Sequence, residues 1–276
     1  MIRRLFKPSL LTSLAAAILT IASQIQLTNT FQINHVVFAV FFGTYIYYNI
    51  HSIYLEFVQS KKILRAYTLK LLIVCSGLII PLFYSSSVEL IILISISVLA
   101  ALYSFPYLHR ITIFFNLRSL PYIKSLFVVL IWSIVTTILP IIYIQAQIEI
   151  SALLSILMGR IFFLLAIIIP FDIRDMLDDT KSGIKTIPLL VGEKPAMMLA
   201  NVCLCIYLIF SFLFYNATGD LAILFANLTS FIITLFILNV GVTNKKVNYF
   251  NFMLDGMIFL QGILVVIFFY LYKLIY

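Results

Sequence analysis

The sequence predicts an all-α, polytopic membrane bundle of nine transmembrane helices, forming a single domain over residues 1–276 with a cytoplasm-facing cavity. Three observations carry that expectation. Of the 276 residues 63% are hydrophobic and 10% charged, with a mean hydropathy of +1.15, whereas a soluble domain is roughly half apolar. The apolar residues fall into runs of about 20, the length a helix needs to cross the hydrocarbon layer. The basic residues alternate between connectors in the way a membrane orientation requires. Together these exclude a water-soluble globular domain, and they make the +8 formal charge a statement about topology rather than nucleic-acid binding.

Nine runs emerge, at about 9–28, 35–57, 68–84, 90–106, 122–143, 151–171, 196–215, 219–240 and 250–272. The first follows the basic start Met1-Ile2-Arg3-Arg4 and has no small-residue cleavage site, so it reads as a span and not a signal peptide. The second and the sixth both carry polar residues towards the same end. Pro81 in the third and Pro140 in the fifth lie near span ends, where a lost backbone bond is cheapest to re-satisfy. Arg160 sits in the middle of the sixth, about 18 Å along the helix from Asp172. Such an arginine is a functional candidate by default, although it can snorkel or pair with backbone carbonyls, and a structural role is the favoured reading here. Cys75, Cys203 and Cys205 fall inside apolar runs and read as packing residues. Asp255 enters the ninth run about one turn from its start and can balance a lysine of the preceding loop. His35, His51 and His109 are isolated and read as interfacial packing.

The connectors fix the orientation. One side holds Arg3, Arg4, Lys7, Lys61, Lys62, Arg65, Lys70, Arg110, Arg118, Lys124, Arg174, Lys181, Lys185, Lys194, Lys245 and Lys246, which is 16 of the 18 basic residues. The other has Lys273, with Glu89, Glu149 and Asp220. The positive-inside rule then makes the amino terminus cytoplasmic and the carboxyl terminus exoplasmic. The longer connectors, 61–67, 107–123 and 172–195, are the cytoplasmic ones, so a functional pocket is expected to open there.

Four of the ten acidic residues lie between Asp172 and Asp179. If the sixth helix continues past Pro170, then Asp172, Asp175 and Asp179 share one stripe and Asp178 points away. Three carboxylates on one face repel each other unless a cation bridges them. Oxygen-only donors suit Mg²⁺, which typically divides its coordination between carboxylates and a substrate phosphate. Arg174, Lys181 and Lys185 add donors for phosphate oxygens. The competing reading is a solvated acidic cap balanced by its own lysines, and the residues alone leave both open.

Asp172-x-x-Asp175-x-x-x-Asp179, followed by Gly183-x-Lys185-Thr186-x-Pro188 and Gly192, resembles the second aspartate-rich motif of the UbiA superfamily of intramembrane prenyltransferases. The segment Tyr103-Ser104-Phe105-Pro106-Tyr107-Leu108-His109-Arg110 is similar to that family's aromatic-proline-basic stretch after span four. The resemblance implies nine helices around a cytoplasm-facing cavity. It also implies Mg²⁺-dependent transfer of a prenyl group from an isoprenoid diphosphate to a lipophilic acceptor in the bilayer, with no nucleic acid involved. Asp172, Asp175, Asp179 and Asn49 are then the catalytic candidates, the three aspartates the metal ligands, and Arg110, Arg118, Lys124, Arg174, Lys181, Lys185 and Glu56 the diphosphate-binding set. The expected location is a bacterial inner membrane.

The family's first motif, Asn-x-x-x-Asp-x-x-x-Asp, is degenerate here: Asn49 fits, but Ile53 and Phe57 replace both carboxylates. Glu56 is a partial substitute, or else an interfacial charge beside Lys61 and Lys62; Asn49 is a substrate contact, or else a helix–helix hydrogen bond. The alternative function is therefore a non-catalytic isoprenoid-lipid-binding protein of the same fold. A transporter lacks the paired Gly- or Pro-broken spans it would need, and the Asp-Gly and Ala-Arg elements of CDP-alcohol phosphotransferases are absent around Asp172. The 16 Tyr and 25 Phe suit an isoprenoid cavity, but interfacial belts and lipid-facing positions claim most of them.

Overall fold

The computed structural model describes residues 8–59, 76–104, 123–145, 147–181, 183–241 and 253–275, with side chains described except at 8, 50–59, 102–104, 123 and 241. Among these residues every regular element is helical. In lipid no water is available to pair backbone groups, and a helix satisfies them within itself. The helices are α1 (Pro8–Thr28), α2 (His35–Gln59), α3 (76–84), α4 (Ser87–Ser104), α5 (Ile123–Ser133, a π-helical turn Ile134–Ile138, and Leu139–Ile144), α6 (Ile150–Lys181), the single-turn α7 (Ile187–Val191), α8 (Glu193–Thr218), α9 (Leu221–Gly241) and α10 (Asp255–Ile275).

Six of them are long and apolar enough to cross a membrane: Ser9–Thr28, Lys124–Ile144, Ile150–Lys181, Glu193–Thr218, Leu221–Val240 and Asp255–Ile275. Ser87–Ala101 of α4 is apolar but shorter. The protein is a multi-pass integral membrane protein. The expected runs at 35–57, 68–84 and 90–106 extend onto residues or side chains outside those described, so the described residues do not by themselves reach nine spans.

Lipid gives little hydrophobic incentive for helices to associate, so small residues and close packing must hold the bundle together. α1 shows how. Ser13, Ala15, Ala16, Thr20, Ala22 and Ser23 are all buried, and 72% of its span lies inside the bundle against 28% for α10. α1 is central, in contact with α2, α5 and α10. Its tightest crossing is with α10, where a Cβ added at Gly262 would stand 2.7 Å from Ile18 Cγ2 and 3.0 Å from the Ile18 backbone. The most extensive pairing is α6 with α8. There Phe163 packs its ring 5.0 Å from that of Tyr207, and Phe162 stacks on Phe210 at 5.8 Å.

At the end of the bundle opposite Lys181 the turns are short and capped. Asn34 Oδ1 accepts from Val37 N at 3.2 Å, and Asp220 Oδ1 accepts from Ile223 N at 3.1 Å. Ser86 and Glu89 form a reciprocal capping box on α4, with Ser86 N donating to Glu89 Oε2 at 2.9 Å. The same carboxylate takes His35 Nε2 of α2 at 3.0 Å. His35, expected to be an isolated packing residue, therefore ties α2 to α4.

Candidate functional site

α6 runs without a break through Pro170 to Lys181, and this continuation puts Asp172, Asp175 and Asp179 on one stripe. Asp172 and Asp179 are buried, whereas Asp178 points outward and pairs with Lys181 at 3.5 Å. The helix ends in a Schellman turn. Ile184 N donates to Asp179 O at 2.9 Å and Gly183 N to Thr180 O at 3.2 Å, with Gly183 at φ +70°, where a side chain would be strained. Extended Thr186 then leads into α7, opened by the buried Pro188. The Gly183–Pro188 motif thus folds the chain back beside the aspartate stripe. Lys185 is exposed on this turn.

The repulsion expected among the three carboxylates is relieved by a side chain from another helix. Lys124, in the first turn of α5, places Nζ 2.7 Å from Asp179 Oδ2 and 2.9 Å from its Oδ1. The same ammonium lies 3.4 Å from Asp172 Oδ1 and 4.0 Å from Asp175 Oδ2. The neighbouring Ser125 hydroxyl donates to Asp172 Oδ2. Arg174 grips Asp175 with two bonds, Nε to Oδ1 at 2.6 Å and Nη2 to Oδ2 at 2.9 Å, and its guanidinium lies over the Phe171 ring. No group of three or more acidic, His or Cys side chains among the described residues is arranged to hold a metal ion. The donor chemistry of the stripe, hard oxygens already sharing one cation, still fits Mg²⁺.

A cavity of about 280 Å³ lies between α1, α2, α3, α4 and α5, lined by Tyr47, Tyr48, Leu93, Phe127 and Trp132 among other mostly apolar residues. Phe127 is three residues, about 4.5 Å of helix rise, beyond Lys124 on α5. Tyr48 directly precedes Asn49 on α2. Helix α5 therefore carries the counter-ion of the acidic stripe at its first turn and a wall of the apolar cavity in the turns that follow.

No protein-family model matches the sequence, and neither does any curated protein. Solved structures do match. A UbiA homolog from Archaeoglobus fulgidus aligns with a TM-score of 0.62 at 14% identity, covering 94% of this chain and 98% of that one. Its Cd²⁺-bound form gives a TM-score of 0.60 at 14% identity over the same shares. A structure described as digeranylgeranylglyceryl phosphate synthase in membranes gives 0.58 at 16% identity, covering 95% and 94%. The chain has the UbiA fold.

Within this UbiA fold the expected site residues divide into three sets. Asp172, Asp175, Asp179, Lys124 and Arg174 come together in one cluster. Lys181 is spent on Asp178, Lys185 stands on the turn behind the stripe, and Asn49 bridges helices: it accepts from Ser9 of α1 at 3.5 Å and donates to Tyr45 O at 2.8 Å. Arg110, Arg118, the Tyr103–Arg110 side chains and the Glu56 side chain lie outside the described residues. Asp255 accepts from the Thr12 hydroxyl at 3.2 Å; the lysines expected to balance it, Lys245 and Lys246, are also outside that set. Sequence reading missed Ser125 and missed that Lys124 faces all three aspartates. The available signal was a Lys-Ser pair opening an apolar span, which names no partner until α5 is seen against α6.

Proposed function

We propose that this protein is an intramembrane prenyltransferase that moves a prenyl group from an isoprenoid diphosphate to a lipophilic acceptor within the bilayer. One observation carries the reading: a carboxylate–ammonium cluster, buried at Asp172 and Asp179, at one end of α5 and α6, with an apolar, aromatic-lined cavity beginning one turn further along α5. The two parts match the two halves of such a substrate, a charged head and a hydrocarbon tail.

Asp172, Asp175 and Asp179 are the residues to hold Mg²⁺, and a bound Mg²⁺ supplies the positive charge that makes diphosphate a better leaving group. Lys124 and Arg174 donate to diphosphate oxygens, with Arg110, Arg118, Lys181 and Lys185 as further donors. When the allylic C–O bond breaks, its electron pair stays on the diphosphate oxygen. The acceptor's electron pair then forms the new bond to carbon, and the acceptor's proton passes to the departed diphosphate. The cavity walls keep water from capturing the allylic cation first, and Tyr47, Tyr48 and Trp132 are the aromatic residues among those walls that can stabilise it. In this proposal nine helices cross a bacterial inner membrane, with the amino terminus and the acidic cluster on the cytoplasmic side.

Ile53 and Phe57 favour a second reading, a non-catalytic isoprenoid-lipid-binding protein, because α2 brings no carboxylate at those positions. Diphosphate release from a panel of prenyl diphosphates by the purified protein, with Mg²⁺ and with chelator, separates the two. Mg²⁺-dependent release supports the transferase; binding without release supports the silent binder.

A further inference from the structure

Away from the acidic cluster, α6 buries a second charge. Arg160 is 2% exposed and lies about 15 Å along the helix from Ile150 and about 18 Å from Asp172. That is too deep to snorkel, and its side chain points inward. It donates Nη1 to Leu19 O at 3.4 Å and Nη2 to Ser23 Oγ at 3.0 Å, both on α1. These use two of the five N–H donors a guanidinium carries. No carboxylate among the described residues pairs with it. An arginine keeps its proton, and a buried charge without a counter-charge is strongly unfavourable in a low-dielectric interior.

Beside the guanidinium is a small cavity of about 20 Å³, bordered by α1, α6, α8, α9 and α10. It is lined by Gln26, Ser211, Asn227, Gln261, Tyr207 and Arg160, among others. Gln26 Oε1, Asn227 Oδ1 and Gln261 Oε1 are buried and accept no hydrogen bond. The Tyr207 hydroxyl faces Gln261 Nε2 at 3.4 Å and Asn227 O at 3.5 Å. Three polar amides and an uncompensated cation around one void mark a place built for a polar occupant. The volume decides its size: about 10–15 Å³ suffices for one water, so a monatomic ion fits, and a diphosphate or a prenyl chain does not.

We infer that this cavity is a binding site for a small monovalent anion of chloride size, the missing counter-charge of Arg160. A water would satisfy hydrogen bonds but leave the charge uncompensated. A half-turn of each amide exchanges its oxygen for its NH₂. In the turned state Gln26 and Gln261 join the guanidinium in presenting donors to the cavity, and Tyr207 can donate to Gln261 Oε1 in exchange. The anion then ties α1 to α6, α8, α9 and α10 at mid-membrane, on the helix that presents Asp172 further along. The inference rests on none of the features that support prenyl transfer.

The test is thermal unfolding of the full chain in detergent, in sodium chloride against sodium gluconate at equal ionic strength. Chloride or bromide should raise the midpoint saturably by several degrees, and Arg160→Gln should weaken the apparent anion affinity at least about tenfold. Wild-type crystals grown in bromide should show an anomalous peak against the Arg160 guanidinium, a readout that stands whether or not the variant folds. Identical midpoints in both salts, or water in the cavity with no bromide signal, would overturn the inference.

Discussion

Lys124 Nζ lies 2.7 Å from Asp179 Oδ2, so the first residue of α5's span is the counter-ion of an acidic residue at the far end of α6. Because the same ammonium reaches Asp172 at 3.4 Å and Asp175 at 4.0 Å, it occupies the point on which the three carboxylates converge. A divalent cation that uses those carboxylates has to compete with Lys124. In the proposed reaction a diphosphate brought with that cation would offer Lys124 a new partner, so metal entry and substrate entry would be coupled.

Lys124→Gln removes the competitor. Its Mg²⁺ titration, read as a thermal shift without substrate, should have a midpoint at least about tenfold lower than wild type, while inorganic diphosphate should bind more weakly through the loss of a charge-assisted bond. An unchanged Mg²⁺ midpoint would show that the ammonium and the metal do not share the aspartates.

Asp172→Asn and Asp175→Asn should each slow single-turnover diphosphate release by on the order of a hundredfold, the scale of losing a preorganised charge-stabilising group. Glu56→Gln should also slow it if Glu56 stands in for the missing α2 carboxylates. Ile53→Asp places an acid on the face of Asn49 and should raise the rate. If wild type binds prenyl diphosphate and releases nothing above background while Ile53→Asp does, the natural protein is a binder and not a catalyst.

Gly262 is where α10 meets the Ile18 backbone, and backbone cannot rotate away as a side-chain tip can. Gly262→Ala should therefore cost about 1–3 kcal/mol through overpacking. Gly256→Ala on the same helix, where a Cβ meets nothing within 4 Å, is the control. Equal unfolding midpoints for the two variants would mean that α1 and α10 are not in close contact.

Reporter fusions test the topology. A fusion at Lys246 should read cytoplasmic and one at Tyr276 exoplasmic, because 16 of 18 basic residues fall on one side of the nine expected spans. The same compartment for both would remove the nine-span count.

The membrane class and the acidic stripe were legible in the sequence because each depends on short-range pattern. Runs of about 20 apolar residues have one stable solution in lipid, and the spacing of Asp172, Asp175 and Asp179 fixes a common face once the helix continues. Gly183 at φ +70° and Pro188 in the first turn of α7 shape the turn behind it for the same local reason. What the stripe faces was not legible. Lys124 is 55 residues from Asp179, and Ser23 is 137 from Arg160; only the packing of α5 on α6, and of α1 on α6, brings them together. His35 read as isolated because its partner, Glu89, is 54 residues away on α4. In a bundle built largely from interchangeable apolar residues, sequence sets which segments cross the bilayer. The helix neighbours are chosen by where small residues let backbones approach, as Gly262 does against Ile18, and that choice decides which buried charges meet a carboxylate, as Lys124 does, and which, like Arg160, meet only a carbonyl and a hydroxyl.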